Sequence, residues 1–257
     1  MRRLPASLLF LALGGTLVAG TAALAAHNGW NAAAVGLPFS SSSTTGTGVL
    51  GNGTIRTFVD VDSAGRPSAV GAIFTAGVLE NLPATGVPLS LSLGPDASRT
   101  PFTHLYVDWV PMGHAPGGVY DRPHIDFHFY FSPVWDRLAT AAGVDSQPPA
   151  PGALPVGYFK VTESVAFMGT HYADSAGPEF HGAPFEKVFL YGSHEGKITF
   201  YDFMATRAWL VNKPNLVIRI KQPVSYPTHG YYPTEMHVNY DSATATYRVA
   251  LEQFVSH

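Results

Sequence analysis

The chain has no cysteine among its 257 residues. Disulfides, thiolate metal sites and cysteine nucleophiles are excluded, so any metal must be held by His, Asp, Glu or main chain. Charge is scarce, with 13% of residues charged and a formal net charge of −3. A mildly acidic chain of this kind argues against a nucleic-acid surface, and no nucleic-acid partner is expected. After the N-terminal segment no apolar run reaches the length of a membrane span, so none is expected in the mature chain. There is no Gly-x-Ser-x-Gly elbow, no phosphate-binding Gly-rich loop and no dinucleotide fingerprint. The substrate, if there is one, has no signature.

The N-terminus reads as a secretory signal. Arg2 and Arg3 precede an apolar run from Leu8 to Val18, and Ala23-Leu24-Ala25 fits a small-residue cleavage site. Residues 1–25 are expected to be removed, placing the protein outside the cell, in the periplasm or in the cell envelope. Cleavage one residue later, after Ala26, would expose His27, whose imidazole and new amine can grip copper. Residues 26–50 are rich in Ala, Ser, Thr and Gly and read as a flexible arm. Residues 51–257 then form a single β-rich domain large enough to bury its own core.

What the sequence does have is 26 Gly, 21 Pro and 12% aromatics. Low charge, many turn formers and many rings favour an all-β protein. Strands are expected at Thr54–Val61, Ser68–Phe74, Leu89–Leu93, His104–Val110, Pro123–Phe131, Phe185–Tyr191, Lys197–Phe203, Leu216–Lys221 and Thr246–Leu251. The expected fold is mainly β, an antiparallel sandwich or barrel-like sheet with one short helix near 132–142. Ser132 can cap that helix, Pro133 suits its first position, and Val134, Trp135 and Leu138 supply an apolar stripe. The run Gln147-Pro-Pro-Ala-Pro-Gly152-Ala-Leu-Pro155 is the clearest internal break and reads as a long loop.

The densest chemistry lies at 114–130. Ile125, Phe127, Phe129 and Phe131 alternate with Asp126, His128 and Tyr130, which is the strand period. The aromatic face can enter a core while His124, Asp126, His128 and Tyr130 point the other way. Imidazole beside carboxylate is metal-ligand or acid–base chemistry. Same-face neighbours stand ~7 Å apart on a strand and His124 to His128 spans ~13 Å, so the two histidines do not share one ion on a straight strand. The favoured set is Asp126 with one neighbouring histidine, completed by His114 and by His171 from beyond the proline-rich loop. Tyr130 and Asp174 would support the ligands. Nitrogen and oxygen donors suit a divalent transition metal, Zn, Cu or Fe, rather than Ca. The rival reading is a buried hydrogen-bond network in which Asp126 orients a histidine and Tyr130 caps it. Glu163, Glu195 and Asp202 can serve as general bases but read as solvated charges. His104, His181, His229, His237 and His257 read as surface, and Phe180, Phe185, Phe189 and Phe200 as core.

Several stretches together resemble one family of exported bacterial domains of unknown function, typified by a Thermus hypothetical protein controlled by a sigma-E/anti-sigma-E system. They are Trp109-Val-Pro-Met-Gly-His114, Pro123-His-Ile-Asp-Phe-His-Phe-Tyr130, Met168-Gly-Thr-His171-Tyr172-Ala-Asp174, Leu190-Tyr-Gly-Ser193 with Gly196-Lys197, and Tyr232-Pro-Thr234. The resemblance runs from Gly51 to Phe254. His194-Glu195 stands where the family pattern has an aromatic and Asp, and Asp202 where it has Glu. The resemblance implies a β-rich fold and a possible homo-oligomer, and no activity. Two functions are therefore carried forward. One is an exported metal-binding protein serving as a metal-dependent enzyme. The other is a non-catalytic oligomer of the cell envelope whose histidine cluster is structural or sequesters metal.

Overall fold

The computed structural model describes residues 46–145 and 147–257. The expected signal segment and His27 lie outside the described residues.

Among the described residues, thirteen strands follow in chain order. They are β1 (Thr47–Leu50), β2 (Gly53–Val61), β3 (Pro67–Thr75), β4 (Val87–Ser92), β5 (His104–Val110), β6 (His124–Tyr130), β7 (Tyr158–Lys160), β8 (Thr170–Asp174), β9 (Lys187–His194), β10 (Lys197–Thr206), β11 (Leu216–Arg219), β12 (Tyr231–Asp241) and β13 (Thr246–Ser256). Helix α1 (Val134–Ala139) follows β6 and α2 (Arg207–Leu210) follows β10. One sheet has the order β1-β2-β3-β13-β12-β11, the other β4-β5-β6-β10-β9-β8-β7, and every pairing is antiparallel. The two sheets pack face to face as a sandwich and do not close into a barrel.

The alternation written in the sequence builds this core. Leu105, Val107 and Trp109 of β5, Ile125, Phe127 and Phe129 of β6, and Tyr201, Phe203 and Ala205 of β10 all enter the apolar layer between the sheets. Phe74 of β3 crosses it to stack on Phe127, centroids 6.0 Å apart, and within its own sheet stacks on Tyr247 of β13 at 4.8 Å. Each large ring buried this way contributes roughly 1.5–3 kcal/mol. A bulge between Ile198 and Phe200 shifts the parity of β10, so Ile198 also reaches the core.

The other face of the seven-stranded sheet is also closed. Loops crossing it bring Tyr120, Phe185 and Met168 onto the sheet, where they pack in two small clusters. This second burial makes β5, β6 and β10 apolar on one side and polar inside on the other.

Several sequence expectations are corrected. Residues 47–50, placed in the flexible arm, form β1. Strands β7, β8 and β12 were not expected, nor was α2. Helix α1 is only six residues, Pro133 is its N-cap residue with no side-chain cap, and of the expected apolar stripe Val134 and Leu138 are half-buried while Trp135 is not. Trp135, expected inside, is 72% exposed, whereas Arg137 is 2% exposed. Strands from both sides of the proline-rich run join the same sheet.

Candidate metal centre

Register places the chemistry. On the outward face of β6, Tyr130 lies opposite His104 of β5, His128 opposite Tyr106, and Asp126 opposite Asp108. On the other side His128 lies opposite Asp202 of β10, and Tyr130 opposite Phe200. All of these side chains are buried. The result is a patch of imidazole, carboxylate and phenol sealed from bulk water, where unpaired polar atoms are costly.

His114, His124 and Asp126 form one group whose candidate ligand atoms lie within 4.8 Å of one another. His114 arrives from the loop after β5. Gly113 there has φ +70°, and a Cβ would meet the Tyr120 carbonyl at 2.3 Å, so only glycine lets the chain turn. The His114 N–H then donates to Tyr120 O at 3.0 Å. Nδ1 of His114 lies 2.7 Å from Ala115 O, and Nδ1 of His124 lies 2.6 Å from Arg122 O. Each Nδ1–H therefore donates to a backbone carbonyl, which turns Nε2 toward Asp126, where it holds a proton against the carboxylate in the metal-free protein and offers its lone pair when a metal displaces that proton. His124 Nε2 stands 3.1 Å from Asp126 Oδ1, and His114 Nε2 stands 3.7 Å from Asp126 Oδ2. The contact between His124 Nε2 and Asp126 Oδ1 is an ion pair whose angle is poor for a hydrogen bond, and neither atom has another partner. Two ligands bound at ~2 Å to a tetrahedral ion stand roughly 3.3 Å apart, so these spacings suit a shared cation. Burial works to raise the Asp126 carboxyl, but the imidazoles of His124 and His114 outweigh it and hold the group well below the usual carboxylate range. His124 is raised, since burial lowers it but Asp126 outweighs that effect.

His128, His171 and Asp202 form the second group, again within 4.8 Å. His128 Nε2 lies 3.7 Å from Asp202 Oδ2, beyond hydrogen-bond reach, and the rings of His128 and His171 stand 5.8 Å apart. The Thr162 hydroxyl anchors His171, accepting from its backbone N–H at 3.0 Å and lying 3.3 Å from Nδ1. Phe200 packs on both rings, 5.3 Å from His128 and 4.9 Å from His171. No well-aligned hydrogen bond reaches either nitrogen of His128 or either oxygen of Asp202, although the Tyr106 backbone faces His128 and the Phe127 backbone faces Asp202. Burial pushes His128 down to about 4 and His171 well below the imidazole range. Burial, then the charge of Asp126, pushes Asp202 well above the carboxylate range. Asp108, opposite Asp126, is raised to about 8 for the same two reasons.

All five expected ligands thus lie on one face but divide between two groups. His124 and His128 fall apart, as strand spacing requires. His171 joins His128, while Asp126 joins His114 and His124. The Tyr130 hydroxyl caps neither a histidine nor Asp126; it donates to Met168 O at 3.4 Å. Asp174 belongs to neither group and pairs with Lys221 at 2.6 Å. Glu163 pairs with Lys160 at 2.8 Å, and Glu195 sits exposed in the β9–β10 turn.

Asp202 is not the solvated charge expected of it, being fully buried against His128. His104 is not at the surface, being buried and stacked on Tyr130 at 4.7 Å. His237 is half-buried and paired with Glu235 at 2.9 Å. His181, His229 and His257 are exposed. Phe185, Phe189 and Phe200 are buried and Phe180 partly so, with Phe200 beside the histidines rather than between the sheets. The missed neighbours Asp108, Tyr106 and His104 carried a signal. They alternate with Leu105, Val107 and Trp109 as the β6 residues do, and antiparallel pairing sets them alongside.

Either group can hold a metal ion. Three protein donors leave a fourth position for water or a ligand, the pattern of catalytic rather than closed structural sites. No family model, no curated protein and no solved structure matches the chain, so these residues alone bear on its chemistry.

Proposed function

We propose that this is an exported metalloprotein that binds a divalent transition metal, Zn, Cu or Fe, on the outward face of β6 and uses it as a metal-dependent enzyme. The observation that carries the reading is the convergence of buried ligand atoms in two groups, with both nitrogens of His128 and both oxygens of Asp202 making no well-aligned hydrogen bond. A proton shared between His124 and Asp126 can satisfy the first group, whereas the second leaves buried polar atoms unsatisfied at about 1–3 kcal/mol apiece. A cation satisfies them together. Bound there, the metal would activate water or polarise a substrate oxygen. The chain's own part is to orient the imidazoles through Ala115 O, Arg122 O and Thr162, and to keep bulk water out. Export rests on the N-terminal signal pattern and on the resemblance to an exported bacterial family.

One observation favours a second reading. Every candidate ligand is at most 7% exposed. So sealed a centre also suits a non-catalytic envelope protein, oligomeric or not, that sequesters metal or is stapled by it.

Elemental mass spectrometry of untagged protein tests the proposal, with His128→Ala and His171→Ala beside the wild type. Near-stoichiometric metal is expected in the wild type, with less in both variants. Metal lost with the fold intact favours the enzyme, and metal lost with unfolding favours the structural role. Wild-type protein without bound metal contradicts both metal readings.

A further inference from the structure

Helix α1 carries its one cation inward. Arg137 is 2% exposed, while Trp135 on the same helix is 72% exposed. An amphipathic helix lying on a sheet does the reverse, so a strong requirement must hold the guanidinium inside. Its Nη1 donates to Phe167 O at 3.1 Å. Its Cζ lies 4.3 Å from the centre of the Tyr106 ring and 5.6 Å from that of Tyr130. Nε has no partner, and no carboxylate of the described residues forms an ion pair with it. A buried guanidinium without a counter-charge is costly, and tyrosine faces offset only part of that cost.

The location supplies the rest. The Tyr106 ring lies 5.5 Å from the His128 ring, so one aromatic side chain separates the guanidinium from the His128/His171/Asp202 group. His104, stacked on Tyr130, also keeps Nε2 without a partner. With a divalent ion in each group, the ions and Arg137 outweigh the carboxylates of Asp108, Asp126 and Asp202 even when all three are ionised. A buried excess of positive charge calls for an anion.

We propose that Arg137 anchors an oxyanion subsite beside the His128/His171/Asp202 group, so that the substrate or ligand of the metal centre carries a phosphate or a carboxylate. The proposal rests on the metal reading above. The planar fork of arginine suits either group bidentately, and a protein needing only a plug for α1 would bury an apolar side chain there.

Cobalt-loaded protein provides the test, because the visible spectrum of bound cobalt reports on the open position. Inorganic phosphate and acetate are titrated separately into wild type, Arg137→Gln and Arg137→Lys. In the wild type at least one probe should shift the cobalt bands saturably, and the better probe identifies the class. Arg137→Gln should weaken that probe by about tenfold or more, the usual worth of a buried charge-assisted contact, with cobalt content and anion-free spectrum unchanged. Arg137→Lys should fall between them, and it carries the comparison if the glutamine variant does not fold. Equal affinity across the variants, or no response to either probe in cobalt-loaded wild type, overturns the subsite. Failure of the wild type to bind cobalt instead overturns the metal reading beneath it.

Discussion

At the residue scale, the two carboxylates of the centre stand in opposite states. Asp126 is held ionised by two oriented imidazoles, whereas Asp202 is pushed toward its protonated form by burial and by Asp126. Asp202→Asn is nearly isosteric with that neutral acid, so metal-free protein should change in stability by less than about 1 kcal/mol in denaturant melts. The same variant should lose its metal from the His128 group. A large loss of apo stability would show that Asp202 is ionised and paired in the absence of metal. Acid should act on the neighbouring histidines. His104 is lowered to about 3 by burial and then by Arg137, and His128 to about 4 by burial. Both bind protons more readily unfolded, so their neutral forms stabilise the fold above pH ~6.5, and that stability falls from there down to about pH 4. The slope is about 1.4 kcal/mol per pH unit for each. His171 is lowered too and adds to the decline, whereas His124, Asp108 and Asp202, all raised, bind protons more readily folded and oppose it over the same range. The contribution of one histidine is therefore read as a difference between two proteins: in urea melts of metal-free protein, wild type should lose stability relative to His104→Gln as pH falls from about 6.5 to 4. A difference between the two that does not change with pH would contradict neutral burial of His104.

At the element scale, β6 was the most legible piece of the chain. Its alternation of aromatics with His, Asp and Tyr predicted both its bounds and its two faces. The strand β5 was legible for the same reason. Yet the ligand sets were not, because Asp202 enters through pairing of β10 with β6, and cross-strand register is not written in either strand alone. The strand β12 was hidden by Pro233, and β8 by its brevity and by the Gly169 before it. On helix α1 the expected stripe failed at Trp135, because hydrophobicity could not anticipate that Arg137 takes the buried place beside half-buried Val134 and Leu138. Gly192 tests the packing of β9 on β10. A Cβ there would stand 1.9 Å from the Phe200 ring, which seats both His128 and His171. Gly192→Ala should cost about 1–3 kcal/mol in denaturant unfolding and diminish metal at the His128 group more than at the His114 group. Wild-type stability with intact metal would show that Phe200 does not position those rings.

At the scale of the whole molecule, one seven-stranded sheet serves two interiors. Its inner face shares an apolar core with the six-stranded sheet, and its outer face, under crossing loops, holds the polar centre. Mainly-β architecture was legible from composition, but the covered outer face was not, since nothing local says which loops fold over which strands. Separation of the interiors predicts separable effects. Phe127→Ala, in the apolar layer, should cost about 3–5 kcal/mol of stability while leaving metal content of the folded protein near that of the wild type. Loss of metal at full folding would show that the two faces are not independent.

Anomalous X-ray scattering from crystals of untagged, metal-loaded protein bears most directly on the metal centre. One peak should lie among His114, His124 and Asp126, and another among His128, His171 and Asp202, each about 2 Å from its ligands. Metal found only at other residues, or no peak at either group after loading, would contradict it.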